Sequence, residues 1–266
     1  MKAFILAAGF GTRLKPFTNH FPKPLVPVHG IPLILHTLAF LKSYDIREVV
    51  INVHHHMAAL PRFLGDGKSF GMAIRYSREK TILGTGGAIK KALRLLGDDF
   101  LVLNGDVLAE FDLAKLLQQH LGSQNLATLA LYPHPQAAQY GLIHFQNKKV
   151  LAILGKPVPP AESRHAMFSG FHMVSKVRIQ KRLRLLPANM PFCVIRDVYI
   201  PELLAGQKIG AFNLKGKWAV CDRLSDVVNI EQAPLKYRYQ KEAERFLQQV
   251  KDQKMLLEIL RVYKSF

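Results

Sequence analysis

Residues 3–28 read AFILAAGFGTRLKPFTNHFPKPLVPV. The apolar run Phe4–Ala8 fits a buried strand, and it breaks into Gly9, Phe10, Gly11, Thr12 and Arg13. Ten residues beyond that arginine stands Lys23, between Pro22 and Pro24. A strand that breaks into a glycine-rich turn lets backbone N–H groups come close to a phosphate, because no Cβ stands in the way. Arg13 and Lys23 would then bring fixed positive charge to a polyphosphate. Turns of this kind are common. On the glycines alone, an ordinary strand and turn with stray basic residues is the better reading.

Outward from that stretch, apolar runs alternate with amphipathic ones. Strand-like runs fall at Phe4–Ala8, Val49–Val53, Ala73–Tyr76 and Phe100–Leu103, with amphipathic stretches at Pro32–Tyr44, Met57–Leu64 and Gly87–Leu96 between them. This βαβα order predicts a parallel sheet with helices on both faces. Ligands of such sheets sit outside the carboxyl ends of the strands. The glycine turn after Ala8 and the Asn104-Gly105-Asp106 sequence after Leu103 both lie at such ends, which points to one shared site.

Further along, the pattern predicts helices over 112–120, 176–186 and near 201–205, and strands over 126–132, 142–145, 150–154, 171–174 and 209–214. Residues 133–139 and 157–165 read as loops. The expected fold class is α/β: a Rossmann-like, mostly parallel mixed sheet flanked by helices over residues 1–232, with a helical C-terminal extension over 233–266. In that extension Phe246, Leu247, Val250, Leu257 and Leu260 give a partial apolar stripe with a polar gap at Gln253 and Lys254. The stripe suits docking on the chain's own domain or on a second copy of the chain as a homo-oligomer.

The 266 residues carry 37 Lys and Arg against 19 Asp and Glu, a net charge of +18. Such a surplus attracts anionic ligands or nucleic acid. The cations are spread along the chain, with no block of five like charges, so a diffuse basic surface accounts for most of it. Nucleic acid is disfavoured as a partner, since no stacking platform or recognised motif accompanies the charge. No apolar run approaches the ~20 residues that span a bilayer, and the N-terminal run is too short for a secretory segment. The expectation is a cytoplasmic protein with no membrane partner. Cys193 and Cys221 have no metal-ligand spacing and are expected as buried thiols. His54, His55 and His56 could hold a metal, but neighbours on an extended segment point to opposite faces and cannot easily share one ion.

LAAGFGTRLKPFT followed by PKPLVPV resembles the signature of the sugar-1-phosphate nucleotidyltransferases, LAAGxGTRL, a variable spacer, then PKPL. The resemblance extends over about residues 1–232, most closely the first 110. It is nearest to the mannose-1-phosphate guanylyltransferases and N-acetylmuramate-1-phosphate uridylyltransferases, and LGTGGAI also resembles an element of heptose-1-phosphate guanylyltransferases. The resemblance implies transfer of a nucleoside monophosphate from a triphosphate to a sugar 1-phosphate, with release of pyrophosphate and Mg2+ as cofactor. GTP and a mannose-like sugar are favoured, UTP next.

The same resemblance assigns roles to residues. Leu6, Ala7, Ala8, Gly9, Gly11 and Thr12 would bind the nucleotide, with Arg13 and Lys23 catalytic on the phosphates. Asp106, in LVLNGDV, matches the metal-binding aspartate. In SREKTILGTGGAIKKA, Gly84, Thr85 and Gly87 would lie near the base. Glu79 stands where a side chain reads the base edge; a carboxylate suits the paired donors of guanine, and a solvated loop charge is an equal alternative. Asn104, Tyr140 with Gly141, Lys156, and Ser169 with Gly170 match the sugar-phosphate side. Asp197, in IRDVYIPELLAG, would hold the sugar loops or cap the helix near Pro201.

Two departures stand out. The family's EKP element reads Gly155-Lys156-Pro157, without its glutamate, and its late GxWxDxGT element has Val220 in place of the aspartate that is the second metal ligand. In an extended strand, Asp222 would lie one pleat repeat further on, roughly 6.6 Å away; a register shift or bulge would bring it in. These departures leave an alternative open: a degenerate relative that binds nucleotide or nucleotide sugar as a regulatory or partner subunit.

Overall fold

The computed structural model describes residues 1–233 and 237–265. The chain opens on β1 (Lys2–Leu6), whose Ala3, Phe4 and Ile5 are fully buried. After the glycine turn, three short 3-10 turns lead to a small hairpin of β2 (Pro27–Val28) and β3 (Ile31–Pro32). Helix α1 (Leu33–Ser43) follows, and everything from Leu33 to Leu41 is buried, because other elements cover it on more than one side. Next come β4 (Glu48–Val53), α2 (Ala59–Leu64) and β5 (Ala73–Arg78). Strands β1, β4 and β5 pair in parallel, Phe4 opposite Val50 and Val50 opposite Arg75, as the βαβα rhythm predicts.

Helix α3 (Gly84–Ala92) begins and ends earlier than its apolar pattern implies. Then follow β6 (Asp99–Asn104), β7 (Val107–Phe111) and α4 (Leu113–Leu121), whose Asp112 cap accepts from the Lys115 N–H at 3.1 Å. Beyond β8 (Ala127–Tyr132), a short α5 (Ala137–Tyr140) occupies a stretch expected as loop. A tight turn through Asn147 and Lys148, both at positive φ, joins β9 (Leu142–Gln146) to β10 (Lys149–Ile153). Strand β11 (Arg164–Ser175) is three times as long as the expected 171–174. A bulge between Phe168 and His172, with Gly170 at φ +88°, breaks its side-chain alternation and hid its first half from pattern reading. The chain goes on through α6 (Lys176–Leu185), a π-helical segment (Val194–Tyr199), α7 (Ile200–Leu204), β12 (Ile209–Asn213), β13 (Gly216–Val220), α8 (Leu224–Gln232), α9 (Gln240–Gln249) and α10 (Gln253–Lys264).

These elements form two units, each discontinuous in sequence. The first comprises residues 83–103 and 111–216. Its strands run in the order β6-β11-β8-β12-β10-β9, and β9 also pairs with β11, so that five strands close on themselves. The β8–β12 pairing is parallel; the β11 pairings with β6, β8 and β9 and those of β10 are antiparallel. Parallel pairing thus dominates where helical crossovers alternate with strands, and hairpins reverse the chain elsewhere.

The second unit comprises residues 2–82, 104–110 and those from Lys217 onward. Around the parallel strands β1, β4 and β5 it adds the β7–β13 ribbon and the C-terminal helices. The tail folds as two helices: Val250 leaves helical geometry, and Asp252 caps α10 by accepting from the Met255 N–H at 2.8 Å. Both helices dock within this unit, α9 on α1 and α10 on β2. The Phe246 ring lies 5.0 Å from Phe70, and Tyr239 lies 5.6 Å from Phe40. Lys42 Nζ meets Glu242 Oε1 at 2.8 Å. The buried stripe is Ala243, Phe246, Val250, Met255, Leu256 and Ile259, while Leu257 faces outward. Among the described residues no helix is long and apolar enough to cross a membrane.

Candidate active site

The turn after β1 is shaped by one glycine. Gly11 has φ +62°, and a Cβ there would stand 2.8 Å from Thr18 Cγ2 and 3.1 Å from Lys23 Cβ. Its carbonyl accepts from the Leu14 N–H at 2.8 Å and the Thr18 hydroxyl at 2.9 Å, which folds the turn back on itself. At Gly9 a Cβ would meet nothing within 4 Å, so packing within the chain does not require a glycine there. The three histidines brace this turn. His55 and His56 each place Nε2 near Thr18 O, at 3.1 and 3.2 Å, and Phe10 meets the His54 ring edge-on.

Behind the turn lies a buried polar chain. The Ala7 N–H donates to Asn52 Oδ1 at 2.6 Å, and Asn52 Nδ2 donates to Glu79 Oε1 at 2.8 Å. Glu79 is only 1% exposed, so it is no solvated loop charge. Asn52 went unread at the level of sequence; its one signal is an amide inside the apolar run VVINV.

Lys23 opens a 3-10 turn between two prolines, and its side chain is 11% exposed. Its ammonium lies 2.6 Å from Asp106 Oδ2 and 2.9 Å from Asp222 Oδ1, and the other Asp222 oxygen binds Arg13. Two local features place the carboxylates. Gly105, after β6, donates its N–H to Leu6 O at 2.9 Å and turns the chain at Asp106, while the Asp106 carbonyl accepts from the Cys221 N–H at 2.9 Å. Strand β13 ends at Val220, and the Asp226 carboxylate accepts the N–H groups of both Asp222 and Arg223, at 2.9 and 2.8 Å. Asp222 is therefore aimed by a strand-to-helix turn. The Asp222–Asp226 spacing ahead of an apolar helix was the available sequence signal.

Burial works against the charge on Lys23, but Asp106 and Asp222 more than offset it and hold its pKa above the usual 10.5. Burial likewise opposes ionisation of Asp222, and its bonds to Lys23 and Arg13 outweigh that, leaving its carboxyl below the usual 3.8. The cluster is a compact alternation of two basic and two acidic side chains, joined by short charge-assisted bonds. As a donor set it suits a hard divalent cation, since two carboxylates already converge on one positive group. No cluster of three or more His, Cys, Asp or Glu able to hold a metal occurs among the described residues, so further positions on such an ion would fall to phosphate oxygens or water.

The remaining expected residues lie in the first unit, apart from Leu6, Ala8, Thr12 and Asn104 beside the turn and the Asp106 corner. Gly84, at φ +67°, and Gly86 are pressed on Phe192: Cβ atoms there would lie 2.6 Å from its carbonyl and 2.5 Å from its ring. Thr85 Oγ1 accepts from the Val194 N–H at 2.9 Å, and Gly87 is buried beside Leu83. Gly84 and Gly86 thus approach the chain's own Phe192 closely. Ser169, expected to face the sugar, is 1% exposed and donates to Ala130 O at 2.7 Å inside the β11 bulge. Gly141, at φ +88°, fits against Leu154, and Tyr140 is exposed beside His134. Gly155 sits at φ +75° in a turn closed by paired bonds between Ile153 and Lys156. That conformation suits glycine and penalises the glutamate it replaces. Lys156 is exposed next to it. Asp197 caps the π-helical segment, accepting from the Cys193 N–H at 2.6 Å, rather than the helix near Pro201. Cys221 is buried, Cys193 is half-buried, and both are free thiols.

A glycine turn thus stands beside two cations and two converging carboxylates on a mixed α/β scaffold. The chain belongs to the nucleotidyl transferase family, whose profile matches residues 2–222. Among its relatives, the mannose-1-phosphate guanylyltransferase of Mycobacterium tuberculosis is 34% identical over 206 residues, 76% of this chain and 55% of that protein. Mannose-1-phosphate guanylyltransferase 1 of Arabidopsis thaliana is 31% identical over 225 residues, 82% of this chain and 60% of that protein. The chain thus spans about 60% of the length of such relatives. In fold it is similar to a Bacillus anthracis protein provisionally described as a glucose-1-phosphate thymidylyltransferase (TM-score 0.75, 24% identity, 90% of this chain and 99% of that one). It is also similar to HddC from Yersinia pseudotuberculosis (TM-score 0.68, 24% identity, 92% and 99%).

Proposed function

We propose that the protein transfers a nucleoside monophosphate from a nucleoside triphosphate to a sugar 1-phosphate, with GTP favoured, UTP next, and a mannose-like sugar. The observation that carries this reading is Lys23, held between Asp106 and Asp222 beside the left-handed Gly11 turn. Relatives named as mannose-1-phosphate guanylyltransferases support the guanine and mannose preference.

In this reading the open space over Gly9 admits the phosphates, and turn N–H groups contact them. Arg13 leaves Asp222 to bind the departing pyrophosphate, and Lys23 holds the α-phosphate. Lys156 steers the sugar phosphate, whose oxygen attacks the α-phosphorus in line as the bond to pyrophosphate breaks. No covalent protein nucleophile takes part; positioning and charge neutralisation lower the barrier. Asp106 and Asp222 would hold Mg2+, which when bound supplies neutralisation of the phosphate charge. Asp222 takes up the part that Val220 cannot play. The buried Asn52–Glu79 pair fixes the end of β1, and Glu79 lies close behind any base bound there. The substrates suit a cytoplasmic setting.

The deciding experiment incubates the protein with Mg2+, each of the four triphosphates and a panel of sugar 1-phosphates, and measures pyrophosphate. Sugar-dependent release, largest with GTP or UTP, is expected. Absence of release with every pair would replace this reading with that of a nucleotide-binding subunit without turnover, for which Val220 and Gly155 are the motivating residues.

A further inference from the structure

The cations are dispersed in sequence, yet the first unit gathers many of them. Helix α3 packs against α6, and both contact the π-helical segment. From Gly84 to Gly97 the chain carries Lys90, Lys91 and Arg94, and from Lys176 to Arg196 it carries Lys176, Arg178, Lys181, Arg182, Arg184 and Arg196; the acidic neighbours, Asp98, Asp99 and Asp197, follow at the ends of the two stretches, leaving nine cations to three anions. Several of these side chains are anchored by carbonyls. Lys176 Nζ donates to Leu96 O at 3.2 Å, Arg182 Nε to Asp197 O at 3.1 Å, and Lys90 to Leu186 O. A carbonyl orients a cation without cancelling its charge, so the face stays strongly positive.

The same face exposes apolar side chains. Helix α6 buries Ile179 and Leu183. Its outer stripe runs Val177, Lys181, Arg184 and Leu185, at helical spacing. Val177 is 56% exposed and Leu185 77%, and Met190, in the loop that follows, is 61% exposed. Lys91 on α3 and Arg94 just beyond its end are exposed.

We propose that this face binds the surface of an anionic lipid bilayer. Charge complementarity is the first argument: each Lys or Arg near such a surface contributes ~1 kcal/mol, about fivefold in affinity. The second is the mixture of charge and apolar groups. Cations around protruding Val, Leu and Met side chains form the pattern of a surface that lies on a bilayer, with apolar tips entering the headgroup boundary. A single-stranded nucleic acid would call for exposed aromatic platforms, and the only aromatic residue in these two stretches, Phe192, is buried. A protein can lie on a membrane without any segment long enough to cross it.

The test is co-sedimentation with vesicles of phosphatidylcholine alone and of phosphatidylcholine with phosphatidylglycerol. Binding is expected only to the anionic vesicles, with a steep loss as salt rises. The double variant Lys181→Ala/Arg184→Ala should bind about 30-fold more weakly, and Leu185→Ser/Met190→Ser should also lose affinity. Both should keep the wild-type melting temperature and nucleotide affinity, since none of these residues lies in the proposed active site. Equal binding by wild type and Lys181→Ala/Arg184→Ala, or no binding to anionic vesicles at low salt, overturns the proposal. So does binding of an unstructured RNA at a salt concentration where vesicles are already released, which would assign the face to nucleic acid.

Discussion

Asp106 and Asp222 meet across a single ammonium group, 2.6 and 2.9 Å from Lys23 Nζ, though one just precedes β7 and the other just follows β13, far apart in sequence. Val220, where the family pattern has a carboxylate, therefore does not leave the site with one acidic group. Replacing Asp222 by Asn keeps the shape and removes the charge. We expect a fall of about 10²–10³ in turnover, the range for loss of one aligned electrostatic group. Mn2+ affinity, read by electron paramagnetic resonance, should fall with it. If Asp222→Asn kept wild-type Mn2+ affinity while Asp106→Asn lost it, Asp222 would be only a partner of the cations.

Lys23→Met leaves the two carboxylates facing each other without their common cation. Breaking a buried pair costs about 3–5 kcal/mol, but both aspartates are about a third exposed, so about 1–3 kcal/mol is expected. A divalent cation can replace the missing ammonium charge. The melting temperature of Lys23→Met should drop in EDTA and recover in part with Mg2+, and wild type should gain less from the metal. Equal metal responses would argue against ion binding between these carboxylates.

The two glycines of the turn should separate stability from binding. Gly11→Ala puts a Cβ 2.8 Å from Thr18 Cγ2 in a left-handed backbone, at a cost of about 1–2 kcal/mol for conformation alone. Urea unfolding should show a lowered midpoint. Gly9→Ala meets nothing within 4 Å, so its stability should stay within about 0.5 kcal/mol of wild type. Its affinity for GTP should nevertheless drop tenfold or more, by titration calorimetry, because the added methyl enters the space assigned to phosphate. Unchanged affinity in Gly9→Ala would move the phosphates elsewhere.

Acid sensitivity has a separate origin. His172 is buried with neither ring nitrogen hydrogen-bonded, and burial, aided by nearby His120, lowers its pKa to about 3. The unfolded chain takes up this proton below about 6.5, while the folded chain does so only near 3. Stability is therefore lost as pH falls through that interval, by up to ~1.4 kcal/mol per pH unit. His172→Phe, beside the rings of Phe168 and Tyr199, should flatten the slope below pH 6. His36, lowered to about 4 by burial, would keep its own share. An unchanged slope in guanidinium unfolding between pH 4 and 6 would contradict this assignment.

The parallel strands of the second unit were legible because each is a short apolar run bounded by turn residues; Arg13 and Lys23 were legible because they sit in a long motif, and Asp106 because its short Asn104-Gly105-Asp106 sequence follows an apolar strand. What stayed hidden depended on contacts distant in sequence. The demand for glycine at Gly84 and Gly86 comes from Phe192, over a hundred residues away. Ser169 reads as a polar residue in a strand, and only the bulge turns its hydroxyl inward to Ala130. The cationic face of α3 and α6 cannot be seen in a linear count of charges. Asp222 sat in view, but its aim is set by Asp226 one helical turn later.

The placement of Phe246 and Tyr239 on Phe70 and Phe40 has a bearing on biosynthesis. Phe40 on α1 is translated about 200 residues before Tyr239, which covers it. At about 5–20 residues per second, the ribosome leaves that ring bare for roughly ten to forty seconds. The nascent chain is a natural client for chaperones during that time, and a gene shortened to the family match at residue 222 would make the exposure permanent.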